Sequence, residues 1–413
     1  MKFINSSSIQ ELEVVMLYKR DLILDKLVQS IDTPVIKVIT GIRRCGKSYV
    51  LKLLMNEIRE KKGDSCNIIY MDFESLKYEE YKNYSSLYSY VIGSIDKDKK
   101  TYILLDEIQE VSGWENAVRS FLVDVDCDIY ITGSNANLLS GELSTYLTGR
   151  YMEYSLYPLS FREYIEFNQI EDSFDESFTE YIKYGGFPAL HAMPDEDDIK
   201  VQYLKGIYNS VILRDVVERN NIRDIELLER ILRYIMDNIG QIFSAKRIAD
   251  YLKSQGRKLG IESVYNYIRA LEGAMIIYAA KRYDVKGKKV LDRMEKYFLA
   301  DLGLRYGTIG YRENDMSQIL ENIIYIELLR RGYSVMVGKE DESEIDFIAV
   351  KANEKMYIQV TYMLATESVI KREYGPLKRI KDSYTKLVLS MDKFPIGVTD
   401  GIQWKNIIDF LMG

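Results

Sequence analysis

Gly41-Ile42-Arg43-Arg44-Cys45-Gly46-Lys47-Ser48 matches the pattern GxxxxGK[ST], and this pattern suits a polyphosphate, which needs many donors and little steric bulk. Gly41 and Gly46 let the loop curl until its backbone N–H groups and the N-terminus of the following helix face the anion. In such a loop Lys47 reaches the β- and γ-phosphates, and the Ser48 hydroxyl holds Mg²⁺. Fifty-nine residues after Lys47, the apolar run TYILL ends in Asp106 and Glu107. Asp106 is placed to bind Mg²⁺ through water, and Glu107 to polarise the water that attacks the terminal phosphate. Together the two motifs predict binding of ATP or GTP with Mg²⁺.

Two further polar positions follow. The run DIYITGSNANL ends in Thr132, Ser134 and Asn135, which read either as a sensor of the γ-phosphate or as a polar turn. Arg150, in YLTGRYMEY, reads either as an arginine finger or sensor or as a solvated arginine beside a strand.

These residues need a scaffold, and the pattern around them supplies one. From about 35 to 154, short β-type runs (VIKVIT, NIIYMDF, TYILLDE, DIYITGS) alternate with helical ones such as YVLKLLMNEIRE. Short buried strands separated by helices predict a parallel sheet covered on both faces, with the phosphate loop between its first strand and first helix. Residues 159–221 turn helical, broken by YGGFPAL, and predict a helical lid or linker. In 222–293, Ser244 caps a helix with apolar Ala245, Ile248, Ala249 and Leu252. A second helix follows with Val264, Tyr267, Ile268 and Leu271, and then a basic hairpin. That order predicts a winged helix-turn-helix. Residues 294–413 read as a separate α/β unit.

Composition limits the function classes. The chain has 413 residues, 47% hydrophobic and 29% charged, enough for several packed domains. Lys and Arg total 56 against 63 Asp and Glu, so the net charge is -7 and any nucleic-acid surface must be local. Gln241 to Arg293 holds twelve basic residues, Lys258 and Arg293 among them, and five acidic ones. The segment is thus +7 and the rest of the chain -14. Such asymmetry is the footprint of a DNA-binding module, with Lys286, Lys288 and Lys289 at the hairpin expected on phosphates. Duplex DNA is therefore the expected partner, with a protein partner or a second copy of the chain as the alternative. Three cysteines without a CxxC pair favour free thiols in a reducing cytoplasm. One histidine excludes zinc fingers and His-based triads. The N-terminal stretch MKFINSSSIQELEVV lacks the basic-then-apolar order of a secretion signal, and no apolar run reaches the roughly 20 residues of a membrane span. A cytoplasmic location without membrane attachment is expected.

The runs GIRRCGKS, LLDEIQEVSGWE, ITGSNANLLS, LTGRYMEYSLYPLSFREY, YGGFPAL and LRDVVERNNIRD resemble the archaeal and bacterial AAA-type ATPases that carry a C-terminal domain of unknown function. The resemblance implies a P-loop NTPase parallel-sheet core, a winged-helix middle and a C-terminal α/β domain similar to restriction endonucleases. Such nuclease folds use a helical Glu, a strand Asp and a Glu-x-Lys on the next strand. Here Glu321 and Asp346 match the first two, but the third reads Gln359-Val360-Thr361, which lacks both the acidic ligand and the lysine. Cleavage is therefore expected to be lost. The expected domains are 1–158, 159–221, 222–293 and 294–413. The expected activity is that of an ATPase whose nucleotide state repositions the winged helix and the C-terminal domain. The alternatives are a signalling NTPase that docks protein partners and an ATPase-regulated metal-dependent nuclease.

Overall fold

A computed structural model describes residues 18–136, 149–257, 259–310, 315–394 and 400–413, without the side chains of Phe243, Asp292 and Arg293. The N-terminal stretch 1–17, the LLSGELSTYL run within 137–148, and Lys258 of the basic count lie outside the described residues.

Five strands, β1 (Ile36–Thr40), β2 (Cys66–Asp72), β3 (Lys100–Asp106), β4 (Cys127–Gly133) and β5 (Tyr151–Ser155), form one parallel sheet in the order β2-β3-β4-β1-β5. Their apolar residues alternate between faces, and helices cover them. Among these are α1 (Asp21–Gln29), α2 (Lys47–Lys62), α3 (Tyr84–Gly93) and α4 (Trp114–Asp124). Val38, Met71, Ile103, Leu105, Ile129 and Ile131 meet Leu87, Val118 and Phe121 in one buried cluster. Polar residues also enter the sheet. Lys37, fully buried in β1, donates to the Asp128 carboxylate, which the Tyr130 hydroxyl also reaches at 2.8 Å. A buried ammonium is tolerable there because Asp128 and the Thr33 carbonyl satisfy it.

The strand order decides where chemistry can occur. After β1 the chain crosses to the far edge, so the C-terminal end of β1 opens a crevice next to β4. Ile39 pairs with Thr132 and Thr40 with Gly133, while Leu105 pairs with Ile131. The ends of β1, β4 and β3 therefore lie side by side.

The chain divides into two compact units, Met1–Gly41 with Gly46–Leu156, and Ile42–Cys45 with Tyr157–Gly413. In the second unit, α5 (Phe161–Phe167), α6 (Phe174–Tyr184) and α7 (Asp197–Ser210) lead into a π-helix over Val211–Glu218 and then α8 (Ile225–Asp237). Next come β6 (Ile242–Phe243), α9 (Ala245–Ser254) and α10 (Ile261–Gly273), with the Ser244 hydroxyl capping α9 through the Arg247 amide. A hairpin of β7 (Ile277–Asp284) and β8 (Lys289–Leu299) follows. The remainder comprises α11 (Leu302–Ile309), α12 (Met316–Arg330), β9 (Ser334–Glu340), β10 (Ser343–Lys351), β11 (Glu354–Val360), α13 (Glu367–Arg379), β12 (Thr385–Ser390), β13 (Gln403–Asn406) and α14 (Ile407–Met412).

The boundaries expected at 221/222 and 293/294 do not separate folded bodies. One eight-stranded sheet runs β13-β12-β11-β10-β9-β7-β8-β6, and β7 pairs with β9 in parallel through Arg282 and Val337. The 293/294 boundary falls inside β8. The helical region expected as a lid is bound into the same unit, with α11 packed on α6 and α7. YGGFPAL explains part of this. The Asp301 carboxylate accepts the Gly186 and Gly303 amides at 2.7 and 2.8 Å. A Cβ on Gly185, whose φ is +75°, would lie 1.9 Å from Asp301 Oδ1, so only glycine fits. Residues 277–299 share one sheet with the strands of the C-terminal segment. That corrects the four-domain expectation.

Candidate nucleotide-binding site

The site begins where β1 ends. Gly46 adopts φ 103°, a left-handed conformation that suits glycine, and caps α2, whose first residue is Lys47. Lys47 Nζ donates to the Gly41 carbonyl at 3.2 Å and lies 3.1 Å from Glu107 Oε1. Both side chains are buried, at 3% and 8% exposure. Glu107 itself holds φ 52°, a left-handed turn uncommon for a residue with a side chain, and its other oxygen accepts the Gln109 side-chain amide.

Thr132 joins the two acidic residues. Its hydroxyl donates to Asp106 Oδ1 at 2.5 Å and accepts the backbone N–H of Glu107 at 2.8 Å. The Tyr70 hydroxyl reaches Asp106 Oδ2 at 3.2 Å, and Ser48 hydrogen-bonds the same carboxylate. Burial pushes the Asp106 carboxyl above its ordinary range, while the Thr132 and Ser48 hydroxyls pull it down and the neighbouring Glu107 and Asp72 charges push it up. Such a carboxylate has a strong demand for a cation. Ser48 and Asp106, a hydroxyl and a carboxylate in direct contact, form a hard-oxygen donor pair that fits Mg²⁺.

The structure thus brings Lys47, Ser48, Asp106, Glu107 and Thr132 together. Ser134 and Asn135 follow Gly133 at the same end of β4, Ser134 buried and Asn135 half-buried. Arg150 is not among them. Its carbonyl accepts the Ile36 amide at 2.8 Å, and it precedes β5, in which Tyr151 pairs with Ile36 and Ser155 with Thr40. It stands at the opposite end of the sheet, roughly 13 Å along the strand from the loop. Within the loop, Ile42 and Cys45 are buried, while Arg44 is exposed with φ 69°. Sequence reasoning missed Tyr70 and Gln109. The signal for Tyr70 is its place two residues before Asp72, on one face of β2 beside β3.

The nuclease-like residues form a second cluster. Lys296 of β8 lies 2.9 Å from Glu321, 2.6 Å from Glu344 and 3.9 Å from Asp346. Gln359 accepts the Asp346 amide at 2.8 Å and donates to Glu373 at 3.0 Å, while Asp346 Oδ2 accepts the Val360 amide at 2.8 Å. The surrounding carboxylates keep the buried Lys296 ammonium charged, and burial pushes Glu321 and Asp346 up. Among the described residues no group of three His, Cys, Asp or Glu side chains is arranged to hold a metal. At the hairpin, exposed Lys286 is 2.6 Å from Asp341. Lys288 and Lys289 are exposed. No helix among the described residues is long and apolar enough to cross a membrane.

Residues 33–165 match the model of an AAA domain, and residues 175–315 match a domain of unknown function, DUF8612. The latter lies in the middle of the chain, whereas the sequence resemblance placed such a domain at the C-terminal end. Among solved structures, Orc1 of Aeropyrum pernix in complex with DNA is similar at TM-score 0.33 and 11% identity, over 70% of this chain and 91% of that one. The RuvB Holliday junction branch migration motor of Thermotoga maritima has TM-score 0.29 and 13% identity, over 67% of this chain and 90% of that one. An uncharacterized protein of Methanocaldococcus jannaschii is 32% identical over 367 residues, 84% of this chain and 79% of that protein. An uncharacterized protein of Haemophilus influenzae is 40% identical over 397 residues, 95% of this chain and 98% of that protein. The chain belongs to the family of these two proteins, as a member whose residues 33–165 form an AAA domain.

Proposed function

We propose that the protein binds ATP with Mg²⁺ and hydrolyses it. The observation that carries this reading is the convergence of Lys47, Ser48, Asp106, Glu107 and Thr132 at the end of one parallel sheet. The Gly41–Ser48 loop offers backbone N–H groups to the phosphates, and Lys47 leaves Glu107 to meet the β- and γ-phosphate oxygens. Ser48 and Asp106 hold Mg²⁺, which neutralises charge on the phosphates when bound. Glu107, released from Lys47, polarises the attacking water and takes its proton. Thr132 keeps the two carboxylates in separate roles by fixing Asp106 and the Glu107 backbone at once. Ser134 and Asn135, at the end of the same strand, supply the group that responds to the γ-phosphate.

The same reading assigns duplex DNA to the α9–α10 and hairpin region as a winged helix-turn-helix. The outward face of α10 carries exposed Tyr265, Asn266 and Arg269, suited to a groove, and Lys288 and Lys289 suit phosphates. The C-terminal restriction-endonuclease-like segment serves binding or assembly, because Lys296 fills the space between its carboxylates and Gln359 braces them. The deciding experiment is ATP turnover of the full chain with and without duplex DNA, beside Lys47→Ala. Turnover that is lost in Lys47→Ala supports the reading, and wild-type affinity and turnover in that variant refute it.

A further inference from the structure

The crown of the phosphate loop carries a contact that the proposed chemistry does not use. Within the second unit, which includes Ile42–Cys45, the Arg43 guanidinium lies 3.7 Å from the Asp215 carboxylate. Both residues are buried, at 7% and 2% exposure. The left-handed backbone at Arg44 separates two consecutive arginines, so that Arg43 points inward while Arg44 is exposed. Asp215 also lies 3.1 Å from Arg219, one helical turn on.

Asp215 belongs to LRDVVERNNIRD, a run that the nucleotide chemistry leaves unexplained, and it sits inside the π-helix that extends α7. Such winding is rare and is found frequently at functional sites. Here it aims Asp215 inward alongside buried Val211, Ile212 and Val216. A carboxylate in that position is costly unless paired, and two guanidinium groups pair it.

We propose that Asp215 is a positioning residue of the nucleotide site: through Arg43 it holds the crown of the phosphate loop in its anion-accepting curve. This rests on the ATPase reading above. A loop whose N–H groups must converge gains from having one residue fixed in a buried ion pair, because less ordering is left to the moment of binding.

The test is a double-mutant cycle on the full chain with Asp215→Asn, Arg43→Ala and both together, measuring KM for ATP, kcat and thermal midpoint without nucleotide. Each single change is expected to raise KM by roughly tenfold, the scale of one charge-assisted contact, with kcat little altered. The double variant is expected to be no worse than either single one, since Asp215 acts through Arg43. Asp215→Glu, which restores the charge, should recover part of the lost affinity. Additive effects on KM, or an unchanged KM in folded Asp215→Asn, overturn the role. Should Asp215→Asn not fold, Arg43→Ala still decides, and an unchanged KM in it overturns the proposal. Absence of turnover in the wild type refutes the ATPase reading and the positioning role with it. Wild-type turnover with unchanged KM in both variants refutes the role of Asp215 alone.

Discussion

Acid should weaken the second unit through its one histidine. His191 lies against the Tyr164 and Phe167 rings at centroid distances of 4.8 and 6.3 Å, and its Nε2 is buried with no hydrogen-bond partner among the described residues. Burial, aided by the Lys200 charge, pushes the imidazole down from 6.5 to about 4, against a hydrogen bond to the Gly185 backbone that favours the charged form. The depressed value means that the folded chain keeps His191 neutral where the unfolded chain protonates it. Stability is therefore full above about 6.5 and falls as pH drops towards 4. At pH 5 the ratio of the two binding polynomials gives a loss of about 2 kcal/mol relative to pH 8. The measurement is urea unfolding of the wild type and of His191→Phe between pH 8 and pH 4.5, followed by a probe of the second unit. Carboxylates titrate alike in both proteins, so the difference between them isolates the histidine. A wild-type minus variant difference that stays flat across this range refutes the assignment. A histidine ring resonance that titrates near pH 6.5 in the folded protein refutes it independently.

Other expectations follow from the site and from the second unit. Glu107→Gln should still bind ATP but slow single-turnover hydrolysis by about 10²–10⁴-fold, the range for losing a general base, and unchanged hydrolysis refutes its role. Replacing Lys288 and Lys289 with alanine should lower DNA affinity for all sequences and flatten the salt slope by up to about 0.9 per lost phosphate contact. Lys286→Ala should change binding less, because Asp341 already holds that ammonium; equal effects at all three lysines contradict this ranking. The purified protein should not nick supercoiled plasmid with Mg²⁺ or Mn²⁺, and nicking that vanishes in Asp346→Ala overturns that expectation.

Much of the nucleotide site is legible in the sequence because its chemistry is local. GxxxxGK[ST] and an apolar strand ending in two carboxylates state their own geometry, and the parallel sheet follows from the alternation of strands and helices. What the sequence hides is long-range. The partnership of Tyr70 with Asp106 spans 36 positions, and that of Arg43 with Asp215 spans 172. The boundary at 293/294 misleads for a related reason: a basic hairpin followed by a helix reads as the end of a module, whereas β7 gains a parallel neighbour from β9, more than fifty residues away. Arg150 illustrates the same limit. A motif can name a residue near a strand, but only the register with Ile36 shows at which end it stands. The helix α13 contains Pro376, which reads as a break, and β13 is a four-residue, mostly polar strand.

The strand β8 makes the hairpin and the second charged cluster one mechanical element. Lys289 opens it opposite Asp284 of β7, and Lys296 lies opposite Ala280, four residues or about 13 Å along β7, with a bulge in β8 between Leu291 and Lys296. On both sides of the bulge β8 stays paired with β7, so it holds the tip to the sheet more firmly than a flexible linker would. A partner that tugs on the exposed tip therefore loads an ammonium clasped by Glu321 and Glu344. Those two carboxylates come from α12 and β10, so they act as an anchor that moors the hairpin to the rest of the second unit.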